Sequence, residues 1–227
     1  MKRQIAKYLA VMAACLPTFS ASVGFAQEMT LRVADTFPIS NNHLTEGLLP
    51  WMEEVTRLTD GRLAFQHFPA GQLGSSTDML TLAQAGAVDI AYIAPAYLSD
   101  KLPLGEVGTM PGVFSTSCEG SHAIREVLRQ DGPLKQEFTD NGVHVILAVT
   151  NPPYQIYTVS HPIASTSDVK GLRLRSGGGL QDMIVATVGG VPIRMAAPDT
   201  RESLSRERST ASFSSPTPSE PMALRNW

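Results

Sequence analysis

The sequence is poor in the residues that most catalysis and metal binding require. It has two cysteines, Cys15 and Cys118, in 227 residues. Removal of a leader containing the first leaves one, and one thiol cannot form an internal disulfide. The five histidines, His43, His67, His122, His144 and His161, are scattered, with no HxxxH pair, so no metal site is expected. There is no GxSxG elbow, no GxxxxGK[ST] phosphate loop and no GxGxxG opening a helix after a strand. The glycines of SGGGLQ lack that last spacing, and no acidic pair is set up for acid–base work. Enzymatic activity and a bound cofactor are therefore not expected. A net charge of −3 and the lack of any basic run exclude the usual footprint of nucleic-acid binding. No apolar run approaches the ~20 residues that cross a bilayer.

What is present is patterned. MKRQIAK is basic, YLAVMAACLPTF is short and apolar, and ASVGFAQ places small residues at Gly24 and Ala26. Residues 1–26 read as an export signal cleaved after Ala26. Beyond them, LRVADTF (31–37) reads as a strand. A helix follows, in which Leu44, Leu48, Trp51, Val55 and Leu58 recur at helical spacing, with Pro50 kinking or restarting it and Gly61 ending it. RLAFQHF (62–68) is a second strand, and the next helix is expected to be capped near Ser75 or Ser76. AVDIAYIA (87–94) is apolar enough for a parallel strand covered on both faces. Residues 95–113 form a Pro/Gly-rich loop, the place expected to hold irregular, functional structure. Helices at 118–130 and 133–141, strands at 142–150, 154–160 and 171–176, a helix at 179–188, a strand at 191–196 and the start of a further helix complete the pattern. The β-α-β-α-β rhythm with short connections predicts an α/β fold with open, mostly parallel sheets.

Two stretches are candidates for a site. In GLRLRSGGGLQDM, Arg173 and Arg175 lie two apart on a strand and share a face. Arg175 is followed by a Gly-rich turn into a helix, whose N-terminus offers free N–H groups and a positive dipole end near Gly178 or Gly179. A guanidinium there suits a carboxylate, although arginines of this kind are often merely solvated. In NPPYQIYTVS, Tyr154, Gln155 and Tyr157 open a strand after a Pro-Pro turn. Tyr154 and Gln155 could face a ligand, and ordinary strand packing of the tyrosines is the competing reading.

Three motifs together carry a resemblance. PAGQLG (Pro69 to Gly74) precedes a helix, GAVD (Gly86 to Asp89) opens a strand, and DVKGLRLR (Asp168 to Arg175) leads into the Gly-rich turn. From about residue 30 to 206 the chain resembles the solute-binding proteins of tripartite ATP-independent periplasmic (TRAP) transporters. The resemblance implies a two-lobed periplasmic receptor that closes on an organic acid and delivers it to a membrane permease. It implies that Arg175 pairs with the ligand carboxylate. Where relatives often carry a second polar or basic residue, this chain has Gln155. Where they have Val-Pro after the arginine, it has Ser176-Gly177. The lobes are expected at 27–149 and 150–206, both incomplete. Rival readings are a ligand-sensing partner of a membrane signalling protein and a truncated product without function.

The resemblance also frames the end of the chain. The family continues the last helix into G-x-x-DG and an apolar strand, whereas this chain reads RERSTASFSSPT. One base inserted into a synonymous coding string for that stretch yields RGALDGVLLFPY, which restores both features. Residues 207–227 are therefore expected to be a frameshifted, Ser/Pro-rich tail without structure. The remaining second lobe would then be small, and the chain unstable, prone to aggregation and weak in binding.

Overall fold

A computed structural model of the chain describes residues 29–158, 162–205 and 211–214. The leader reading of residues 1–26 lies outside the described residues. Strand β1 (Met29–Ala34) pairs in parallel with β2 (Leu63–Phe68) on one side and β3 (Ile90–Ala91) on the other, giving the order β2-β1-β3. Between β1 and β2 runs helix α1 (Leu49–Leu58), entered through a wide turn at Leu44–Leu48. Pro50 sits at the start of α1, where its missing N–H costs nothing, so the proline restarts the helix as the sequence predicts. Gly61, with φ of 78°, closes the helix end as expected.

Helix α2 (Met79–Gln84) begins later than the Ser75 or Ser76 cap predicts. The Asp78 carboxylate accepts from the Ser75 backbone N–H and hydroxyl, and this local turn uses up the capping groups. Helices α3 (Ser117–Arg129) and α4 (Pro133–Asp140) follow the predicted spans closely.

The strand expected at 142–150 does not form. A strand is completed only by neighbours, and among the described residues none pairs with this run. Val145, Ile146, Leu147 and Val149 are left exposed. The strand expected at 87–94 is likewise cut to the two residues of β3 that reach β1.

The second sheet has the order β4-β7-β5-β6, from β4 (Gln155–Thr158), β5 (Arg173–Ser176), β6 (Val191–Arg194) and β7 (Ala211–Ser214). Strands β5, β6 and β7 are parallel, and β4 runs antiparallel to β7. Helix α5 (Gly179–Thr187) crosses from β5 to β6, and α6 (Thr200–Ser205) leads towards β7. The reading of 207–227 as structureless is thus corrected at 211–214. Strands β4 and β5 both pair with this segment, and backbone pairing asks little of the sequence that lies between them. The rest of that stretch lies outside the described residues.

Buried side chains form separate clusters. Ala34, Met79 and Val88 pack under the first sheet, and Leu80, Leu98 and Leu102 beside it. Val169, Leu174 and Val185 hold α5 against the second sheet. The two sheets fall on either side of residue 150, and the carboxyl ends of their parallel strands come together, where Tyr97, after β3, accepts from Arg175 of β5. In open α/β sheets that is where ligands bind.

Candidate functional site

Strand polarity assembles the site. Asp35 follows β1, Tyr92 follows β3, and Arg175 lies near the end of β5, while Tyr154 precedes the antiparallel β4 and so sits at the same rim.

Arg175 is 3% exposed. Its Nε donates to the Met195 carbonyl just past β6 at 3.0 Å, and its Nη2 donates to the Tyr97 hydroxyl oxygen at 3.3 Å. The guanidinium carbon stands 6.0 Å from the Tyr97 ring centroid. Tyr97 also accepts from the Ala197 N–H at 2.8 Å. Both bonds use the hydroxyl oxygen as acceptor, and neither uses its proton. The Met195 carbonyl and the Tyr97 hydroxyl are thus among the groups that fix the plane of this cation.

The structure brings Tyr154 to Arg175. Burial pushes the Tyr154 phenol above the ordinary tyrosine value, against the opposing pull of Asn151, Arg175 and Gln181. Asn151 Nδ2 donates to the Tyr154 hydroxyl at 3.5 Å. Gln155 is not brought there. Strand alternation sends Tyr154 and Ile156 into the second-sheet core and Gln155 to the exposed face. Arg173, on the same strand as Arg175, is exposed at the outer end of β5.

The first sheet supplies rings and a buried carboxylate. Asp35 has no exposed surface. One oxygen accepts from the Phe37 N–H at 2.8 Å, and the other pairs with Nε2 of His67 from β2. The Phe37 and Tyr92 rings meet edge to face at 5.2 Å, and His43 lies 6.0 and 6.1 Å from them. Burial is the main cause that pushes the Tyr92 phenol well above its usual range, with smaller contributions from Tyr97, Tyr154 and Asp35. The rings of the first sheet and the arginine side of the second are therefore neighbours through Tyr92, Tyr97 and Tyr154.

The N-terminus of α5 is already occupied. Glu106, 4% exposed and drawn from the turn at Leu104–Thr109, accepts from the Leu180 N–H at 2.7 Å. The Gly177 N–H donates to the Gln181 side chain at 2.7 Å. The helix end that the sequence offers to a ligand thus binds the protein's own carboxylate. Arg175 is held separately, by Met195 and Tyr97.

Sequence reasoning singled out the 95–113 loop but not Tyr97 or Glu106 within it. One signal for Glu106 was available. The turn Gly177-Gly178-Gly179 opens a helix without a Ser, Thr, Asp or Asn cap, and Gly178 makes no side-chain cap bond, which leaves N–H groups for an acceptor from another part of the chain. Asp35, His67 and the Phe37–His43–Tyr92 group left no comparable pattern, because three strands must pair before they meet. Among the described residues no group of three or more His, Cys, Asp or Glu side chains could hold a metal ion.

Residues 36–207 match the family described as DctP, bacterial extracellular solute-binding protein, family 7. A solute-binding protein of Roseobacter denitrificans is 30% identical over 164 residues, 71% of this chain and 48% of the relative. A solved TRAP solute-binding protein from Rhodoferax ferrireducens, in complex with copurified benzoate, is 25% identical. It superposes with a TM-score of 0.75 over 81% of this chain and 56% of that one. A TRAP periplasmic solute-binding protein from Bordetella bronchiseptica, with bound (R)- and (S)-mandelate, has a TM-score of 0.76 at 24% identity, over 87% of this chain and 61% of that one. The chain thus spans about half the length of the curated relatives it matches.

Proposed function

The chain belongs to family 7 of the bacterial extracellular solute-binding proteins, the receptors of TRAP transporters, and on that premise we propose that it captures a small organic acid through an Arg175–carboxylate contact. The family is one of receptors and not of enzymes, so the ligand is held and released unchanged. The observation that carries the proposal is the buried guanidinium at the carboxyl ends of parallel strands, fixed by Met195 and Tyr97. Tyr154 stands beside it as a second contact. Residues 27–149 and 150–206 are the two lobes, and closure between them encloses the acid. The loaded receptor hands its ligand to the membrane permease of the transporter. The periplasm, where TRAP solute-binding proteins work, fits the basic-then-apolar leader of residues 1–26.

The ring-lined first-sheet side supports an aromatic monocarboxylate. Phe37, His43 and Tyr92 offer faces and edges to a ring, and the buried Glu106 carboxyl disfavours a second negative charge. Relatives of the same fold were solved with benzoate and mandelate.

Calorimetric titration with benzoate, mandelate and succinate tests the reading. Benzoate or mandelate should bind and succinate should not. Arg175→Ala should lose about 2–5 kcal/mol of binding free energy. Equal affinity in Arg175→Ala, or no binding of any of these acids, overturns it.

A further inference from the structure

We propose that Glu106 is a positioning residue that ties the first lobe to the second, by serving as the N-terminal cap of α5 in place of a local one. This rests on the two-lobed receptor reading for its purpose, but not for its geometry.

Glu106 and Leu180 are 74 residues apart, and their bond joins an element packed on the first lobe to a helix of the second. The Glu106 side is itself anchored. The Glu137 carboxylate of α4 accepts from the Leu104 N–H at 2.7 Å and the Gly105 N–H at 2.8 Å, which fixes the turn that carries Glu106. Gly105 lies directly against Pro95, so a Cβ there would come within 2.8 Å of the proline ring. Two carboxylates in series therefore connect α4 to α5.

The α5 side is shaped to receive the carboxylate. Gly179 has φ of 46°, and a Cβ on it would collide with the Glu106 carboxyl group. A Cβ on Gly178 would come 2.9 Å from the Ala96 carbonyl. The glycines thus bring the α5 end up against the 95–109 segment of the other lobe. Charges facing the carboxylate are Arg194 of β6, Asp182 of α5 and Glu137 of α4. Arg194 pairs with Asp182 at 3.0 Å, which also accepts from Ser176. A cap worth keeping within one helix is usually supplied by the residue before it. Supplied across lobes, the same bond exists only while the lobes are together.

The test reads the distance between lobes without any ligand, so it stands apart from the choice of acid. One spin label goes on Cys118 of α3, which is exposed. The other goes on a cysteine introduced by Met183→Cys, at a position of α5 that is 67% exposed, in a Cys15→Ser background. The parent should give a narrow distribution by pulsed electron–electron resonance. Glu106→Ala should broaden it and shift it to longer distance. Gly179→Ala should do the same from the other side. Glu106→Gln, which keeps an acceptor for Leu180, should restore the narrow distribution. The double variant Glu106→Ala/Gly179→Ala should be no wider than either single one, because both remove the same contact. A parent-like distribution in Glu106→Ala, failure of Glu106→Gln to rescue, or additive broadening in the double variant overturns the proposal. If Glu106→Ala loses its helical signal in circular dichroism, the Gly179→Ala and Glu106→Gln arms decide.

Discussion

The runs GVHVILAVT (142–150) and GLRLRS (171–176) look alike as candidate strands, yet only the second forms one. The first is the more apolar and the richer in β-branched residues. It nonetheless exposes Val145, Ile146, Leu147 and Val149, while the second buries Leu174, Arg175 and Ser176 between β6 and β7. What a residue is worth here depends on the partner that the fold brings to it, not on its own propensity.

The largest test of that contrast is Leu174→Ala. Leu174 has no exposed surface and packs with Val169 and Val185, the buried centre of the second sheet. Truncation should cost about 2–5 kcal/mol. Denaturant unfolding followed by hydrogen exchange should show the loss first in β5 and α5. A cost near zero would mean that this cluster is not a core.

Carboxylates repeat the contrast. Asp35 is enclosed, with both oxygens engaged, whereas Asp131 pairs with Lys135 at 2.8 Å in open solvent. Asp35→Asn should cost about 1–3 kcal/mol, because a buried acceptor pattern is broken. Asp131→Asn should leave stability unchanged. Chemical denaturation of both variants side by side checks the ratio, and equal costs would sink the argument.

Glu106 provides a smaller effect with a sign of its own. Burial, the leading cause, raises its carboxyl above the ordinary glutamate value, against the Leu180 N–H and Arg194, which lower it. The folded state therefore holds that proton more tightly than the unfolded one. The contribution of this group is fully present below the ordinary glutamate value of about 4.3 and fades as pH rises through the raised folded value. Asp168 and Asp78, whose carboxyls are lowered by hydrogen bonds to Ser165 and Ser75, act in the opposite sense and lose stability on acidification. The difference between the parent and Glu106→Gln removes those shared terms. Melting temperatures from about pH 7 down to about pH 4.3 should show the parent gaining on Glu106→Gln as pH falls. A parent that loses ground instead would place the Leu180 bond above desolvation.

These contrasts also mark what was legible in the sequence. The β1-α1-β2 unit, the restart at Pro50 and the strand–turn–helix around Arg175 were readable, because each rests on residues close in sequence. Arg175 could be placed from its strand and the glycines after it. Gln155 could not be told from Tyr154, because the face of a short strand is fixed by the core it packs on. Glu106 and Tyr97 stayed hidden in a loop whose fold depends on contacts from α4 and α5. Strand β7 and the missing strand at 142–150 fail in opposite directions for one reason. A place between two strands orders a poor sequence, and a run with no neighbouring strand among the described residues stays unpaired however good its sequence.

Ile146 is 63% exposed and sits in a run with the composition of a self-pairing segment: apolar, β-branched and without proline. Ile146→Lys removes no buried contact, so stability should change by no more than about 0.5 kcal/mol. A charge in the run opposes edge-to-edge association, so light scattering during a thermal hold should rise more slowly than in the parent. The same lysine at Leu174 should abolish folding. If Ile146→Lys instead cost as much as Leu174→Ala, residues 142–150 would have a strand partner in solution, and the contrast between the two runs would disappear.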